Sequence, residues 1–71
     1  MSQHKRILRH LDDFKSITPI EAFQEYGITK LATRISELRH KHGHNIVDEF
    51  VTGKNRYGET IKYKRYFKYA G

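Results

Sequence analysis

The stretch EYGITKLATRI, residues 25–35, sets a glycine, an isoleucine and a threonine between two helical patterns, and its reading decides the fold. Upstream, Thr18-Pro19-Ile20-Glu21 is a helix start. Thr18 supplies the N-cap oxygen. Pro19 suits the first helical position, where a missing N–H costs nothing, and Glu21 stands where its carboxylate closes a capping box. Ile20, Ala22, Phe23 and Tyr26 are expected on the buried side, and Gly27 can take the left-handed conformation that ends a helix. Ile28 then pins the turn, and Thr29 is placed to cap a third helix over about residues 30–42. Leu31, Ile35, Leu38 and His42 share one face at i, i+4, i+7 and i+11, and Gly43 is the stop.

Two helices joined by a tight glycine turn form a helix-turn-helix unit, whose second helix can lie in a DNA major groove. Any antiparallel helix cluster shares such a turn, so the face opposite the core carries the distinction. Lys30, Thr33 and Glu37 are expected to point away from Leu31 and Ile35, with Arg34 flanking them. These are phosphate- and base-reading residue types in the half of the helix that makes base contacts. Thr29 and Lys41, at the two ends, complete the candidate set on this helix. Phe23, four positions before Gly27, stands where such units often carry a small residue, so a different helix crossing angle is expected.

On the N-terminal side, Ser2 can cap a first helix whose Ile7, Leu8, Leu11 and Phe14 form one apolar stripe. Asp12 and Asp13 oppose the helix dipole near its end, and the helix is expected to stop there. On the C-terminal side the period changes. Ile46, Val47, Phe50 and Val51 precede TGKNRYGE, and TIKYKRYFKY follows, which reads as a β-hairpin. In the second strand Ile61, Tyr63, Arg65, Phe67 and Tyr69 alternate with Thr60, Lys62, Lys64, Tyr66 and Lys68. Neither face is purely apolar. Ile61 and Tyr63 are expected inward, with a bulge able to change the phase later. The order of three helices and then a hairpin is α+β and that of a winged helix, in one domain over residues 1–71. Lys54, Asn55, Arg56 and Tyr57 form the tip of a wing over 53–59, placed to reach the DNA backbone or minor groove.

Composition agrees. The chain of 71 residues is 37% hydrophobic, enough for one small core and not for a sizeable cavity. It carries 14 Lys and Arg against 8 Asp and Glu, a net charge of +6. Residues 1–29 hold four of each sign, so the whole excess lies in residues 30–71, which hold ten basic and four acidic side chains. A one-sided basic excess in so small a domain is the footprint of a polyanion binder, although a solvated surface of this charge is also ordinary. There is no cysteine, no run long enough to span a membrane and no signal-peptide core near the N-terminus, so a cytoplasmic location and no membrane partner are expected.

Chemistry finds no purchase. No glycine-rich phosphate loop or paired carboxylates are present, and Asp48 and Glu49 are adjacent on a strand and so face opposite ways. His40 and His44 have ligand spacing, but Gly43 ends the helix between them and nothing completes a ligand set with His42. No enzyme activity, metal or other cofactor is expected.

The segments SITPIEAFQEYGITKLATRISELR, HNIV and VTGKNRYGETIKYKRY together resemble the small winged helix-turn-helix domains of bacteriophage and prophage genes, over about residues 7 to 66. The resemblance implies a phage-borne winged-helix protein that binds DNA; it does not fix the biological role, and a regulatory or accessory role on double-stranded DNA in the bacterial cytoplasm, as a monomer or weak homodimer, is the expectation. A second class of function stays open. Five of the nine aromatic residues, namely Tyr57, Tyr63, Tyr66, Phe67 and Tyr69, lie in the last fifteen positions. Aromatic and basic residues together also populate protein interfaces, as in a host-takeover or anti-defence protein that binds a host protein or nucleoprotein complex.

Overall fold

Thr18 turns the chain into the helix that orients the rest of the domain. Its hydroxyl oxygen accepts the Glu21 amide at 3.3 Å, and the Glu21 carboxylate accepts the Thr18 amide at 2.9 Å and its hydroxyl at 3.1 Å. The capping box is complete, with Pro19 at the start of the helix. The structure is a computed structural model describing residues 2–69. Met1, Ala70 and Gly71, which the single-domain expectation included, lie outside the described residues.

Helix α1 spans Gln3–Phe14, α2 Pro19–Tyr26 and α3 Leu31–His40, followed by strands β1 (Ile46–Lys54) and β2 (Thr60–Lys68). Ser2 caps α1 through the Lys5 amide. The helix ends at Phe14, one residue past Asp13 and so where it was expected to stop, and Lys15 leaves it in the left-handed region at φ 75°. The buried stripe of α1 is Ile7, His10 and Leu11, with Leu8 partly buried. Phe14 was expected in it but is 66% exposed. It lies on the right face, yet past the end of the body it would pack against, and its ring rests on His10 at 4.7 Å. His10 in turn meets the Tyr26 hydroxyl at 2.7 Å through Nδ1, while its buried Nε2 has no partner. The cheaper tautomer carries the proton on Nδ1, which donates to the Tyr26 oxygen and leaves Nε2 as a bare lone pair rather than an unmet N–H.

Helix α2 buries Ala22 and partly buries Tyr26, one turn apart. Ile20 and Phe23, also expected inside, are 62% and 59% exposed. An eight-residue helix with one side against the body buries a single narrow stripe, and these two lie off it. Ala22 is thus the small buried residue of α2, and the bulk of Phe23 stays out of the core. Gly27 ends the helix at φ 68°, where a side chain would be strained, and Ile28 folds under with its amide on the Ala22 carbonyl.

Ile28 also settles where α3 begins. Because it takes up the chain after Gly27, Thr29 comes one residue too early to cap. The N-cap is Lys30, and no side chain caps the helix. Leu31, Ile35 and Leu38 form the buried stripe as expected. His42 does not join it, because the helix ends at His40 and His42 is exposed in the turn beyond. Gly43, at φ 68°, lets the His44 amide turn back onto the Leu38 carbonyl at 3.0 Å.

β1 and β2 pair antiparallel without a bulge from Ile46–Lys68 to Lys54–Thr60. β2 has a second neighbour that periodicity did not reveal. Ile17, between α1 and α2, exchanges two main-chain hydrogen bonds with Tyr66, both 2.9 Å. Tyr66 is the residue of β2 that enters the core, beside Ile46, Ile17 and the helical stripes. The expectation of Ile61 and Tyr63 inward is therefore reversed in phase. They occupy the other face, Ile61 is exposed and Tyr63 half-buried, and no bulge intervenes. Burial along β2 is decided by which end of the strand reaches the helices, not by its most apolar segment.

Thr18→Ala removes the hydroxyl that pairs a first-turn amide and should cost about 1 kcal/mol. A denaturant midpoint shift of that size, at unchanged slope, is the expected result.

Candidate nucleic-acid interface

The surface begins with the side of α3 that the core stripe leaves free. Lys30, Ala32, Thr33, Ser36 and His40 are exposed, with Lys41 just beyond the helix and Thr29 just before it. Ala32, Ser36 and His40 were not singled out from the sequence. Small neutral residues such as Ala32 and Ser36 carry no signal of residue type, although wheel position, off the stripe of Leu31, Ile35 and Leu38, marks all three as outward.

Arg34 and Glu37 are placed differently from that expectation. Both lie on the flank of α3 that meets the start of α1. Arg34 donates to Gln3 at 3.0 Å and to Glu37 at 2.6 Å, and the same Glu37 oxygen meets His4 Nε2 at 2.9 Å. The two side chains are only 30% and 26% exposed. The Arg34 hydrogen bond first, and the His4 bond second, hold the Glu37 carboxyl below its ordinary value of 4.5. Neither side chain is on the free outer face, and a helical wheel could not show this because the partners are 31 and 33 residues away.

On the opposite flank Arg39 fastens the sheet to α3. Its guanidinium donates to the Ile46 carbonyl at 2.6 Å and to Asp48 at 3.0 Å, and lies 5.9 Å from the centre of the Tyr66 ring. Burial first, then the Asp48 charge, hold the Tyr66 phenol above its ordinary range despite Arg39. Arg39 therefore defines which face of the hairpin is inner. By the register, that face carries Ile46, Asp48 and Tyr66 at the body and continues outward as Phe50, Thr52 and Lys54 opposite Lys64, Lys62 and Thr60. Lysines dominate it, and its single carboxylate, Asp48, is taken by Arg39.

The turn closing the hairpin is built by Asn55. Its side-chain oxygen accepts the amides of Tyr57 and Glu59, its side-chain nitrogen donates to Glu59, and its carbonyl accepts the Gly58 amide. Asn55 is thus occupied in shaping the turn. Lys54 reaches the Thr60 hydroxyl at 3.1 Å, whereas Arg56 is exposed and Tyr57 projects with 81% of its surface free.

A family model described as a winged helix-turn-helix domain matches residues 2–69. The chain belongs to this family. No curated protein and no solved structure matched it. In the winged helix-turn-helix arrangement α2 and α3 are the paired helices and the β1–β2 hairpin is the wing. Membership points to DNA binding as the general activity of such a domain, not to catalysis.

The distribution of ion pairs sharpens the charge of this surface. Glu37, Asp48, Glu49, Asp13 and Asp12 pair with Arg34, Arg39, Arg65, Arg9 and Lys68 respectively. Exposed pairs of this kind each contribute at most about 1 kcal/mol, so they do not hold the fold. Their effect is to neutralise five of the eight acids. Among the described residues, nine Lys and Arg side chains have no carboxylate partner; six of them, Lys30, Lys41, Lys54, Arg56, Lys62 and Lys64, flank α3 or line the wing, and the other three, Lys5, Arg6 and Lys15, lie on or just after α1. No three His, Cys, Asp or Glu side chains of the described residues are grouped to hold a metal ion, and no helix of the described residues is long and apolar enough to cross a membrane.

The Arg34–Glu37–His4 seam sets two expectations. Arg34→Ala should lower stability by about 1 kcal/mol, whereas Thr33→Ala, on the free face, should change it by less than about 0.5 kcal/mol. Because the folded-state value of Glu37 is lowered, its contribution is present above pH 4.5 and is lost as the pH falls through the depressed folded value. Glu37→Gln should remove that part of the acid sensitivity. Denaturant midpoints measured from pH 7 down to pH 3 would show both effects.

Proposed function

We propose that this winged helix-turn-helix domain binds double-stranded DNA, with the free face of α3 in the major groove and the wing along the backbone or minor groove. The observation that carries the reading is the gathering of uncompensated cations. Six of the nine described lysines and arginines without a carboxylate partner lie at the ends of α3 and on the wing, while Glu37, Asp48 and Glu49 nearby are paired with other cations. On α3 the proposed contacts are Thr29, Lys30, Thr33, Ser36, His40 and Lys41. On the wing they are Lys54, Arg56, Tyr57, Lys62 and Lys64. Arg34, Glu37 and Asn55, whose side chains are engaged within the fold, act in this reading by shaping the surface. The uncapped first turn of α3 supports it as well, since its free amides and positive dipole end favour a phosphate. The resemblance to phage and prophage domains supports a phage-borne regulatory or accessory role in the bacterial cytoplasm.

A second reading has one observation in its favour. Ile20 and Phe23 stand exposed on α2, and Ile20 borders a groove of about 360 Å³ that Pro19, Gly53, Ile61 and Tyr63 also line. Such an apolar surface fits a protein partner, for example a host protein or nucleoprotein complex.

Titration against a random duplex at several salt concentrations separates the two. Removing phosphate contacts lowers affinity for every sequence alike and flattens the slope of log affinity against log salt by about 0.9 per contact. Lys62→Ala with Lys64→Ala, and separately Lys54→Ala with Arg56→Ala, should each flatten the slope and leave base preference intact. Parental slopes in both double variants would contradict a wing that rides on DNA. Salt-tolerant binding to one protein, abolished by Phe23→Ser, would instead favour the second reading.

A further inference from the structure

Phe50 is the feature that duplex binding does not use. It lies in the middle of β1 on the inner face of the wing, 69% exposed, directly across from Lys64. The Lys64 ammonium sits 5.5 Å from the centre of its ring. The next positions outward on the same face are Thr52 and Lys62, then Lys54 and Thr60, and no carboxylate is free on that face. A large aromatic ring exposed in a field of lysines is poorly suited to an apolar protein partner, which would want apolar neighbours around it. Nor does a closed duplex offer it anything, because base faces there are stacked on one another.

We propose that the inner face of the wing is a platform for single-stranded nucleic acid, with an unpaired base stacked on Phe50 and the flanking phosphates on Lys62 and Lys64. Every base has a π-face, so such stacking is tolerant of sequence, and a cationic track beside an exposed ring is the combination that holds single strands. Lys62 and Lys64 are about 7 Å apart along one face of the strand, near the spacing of successive phosphates in an extended chain. The Lys64 ammonium now over the ring exchanges that weak partner for a phosphate as the base arrives. The inference rests on the nucleic-acid reading for its class of ligand, and extends it from paired to unpaired strands.

The chain contains no tryptophan, so Phe50→Trp installs a single indole at the proposed stacking position. Its fluorescence is followed while a thymidine oligonucleotide, a uridine oligonucleotide or an abasic oligomer of equal length is added, and a duplex is titrated in parallel by anisotropy. The expected result is quenching by the thymidine and uridine strands, both bound several-fold more tightly than the abasic oligomer. Phe50→Ala should weaken single-strand binding about tenfold, the lower part of the range for one stacked base, with the melting temperature unchanged because the ring is exposed. Equal affinity for abasic and base-bearing strands, without quenching, overturns the proposal and leaves a phosphate track only. Binding to duplex but not to single strands overturns it while the duplex reading stands. Binding to neither overturns both.

Discussion

Two main-chain hydrogen bonds between Ile17 and Tyr66 hold the wing to the helices, and the candidate surface depends on them. A two-stranded hairpin by itself is marginal in water. This one has nine-residue strands, yet of all their residues only Ile46 and Tyr66 are fully buried. Its position is therefore set at one end. There the segment between α1 and α2 pairs with β2 as a single-residue third strand, and Arg39 draws the start of β1 onto α3. Ile17 is itself fully buried, and removing so large a side chain typically costs 2–5 kcal/mol. A domain of this size has only about 4–10 kcal/mol in total. Core and wing placement thus rest on the same few residues.

That fastening has an electrostatic consequence. With Ile46 and Tyr66 turned to the core, alternation puts Lys62 and Lys64 on the face of the sheet that α3 packs against, and puts Glu49 and Arg65 on the outer face, where they pair with each other. The two ends of α3 and the inner wing carry cations without counter-charges. A shift of one residue in either strand would exchange the faces. The register therefore sorts the charges as well as the apolar residues.

Much of this was legible in the residues. The signals at Thr18, Pro19, Glu21 and Gly27 act within a few positions, and each was realised. So was the stripe of Leu31, Ile35 and Leu38, because helical periodicity reports one continuous contact. The hairpin could be read from its β-branched and aromatic runs, but not its facing, since β2 alternates two mixed faces and only the docking of its far end decides between them. Ile17 is a single paired residue with no period at all. The seam of Gln3, His4, Arg34 and Glu37 joins residues some thirty positions apart, so Arg34 and Glu37 read as solvent-facing. At the candidate site the charged wing residues were visible by type. Ser36 and His40 were visible only by position, and Phe50 was read only as part of a strand, because nothing local distinguishes an exposed phenylalanine from a buried one.

The claim that the free face of α3 and the inner face of the wing act as one nucleic-acid surface is tested most directly by backbone amide NMR during titration with a short duplex. Thr33, Ser36, His40, Thr52, Lys62 and Lys64 are expected to shift along a single binding curve, with Ile20, Phe23 and Gln24 on α2 unmoved. Shifts confined to the α2 residues, or a wing that stays unmoved at a concentration that saturates α3, would contradict it.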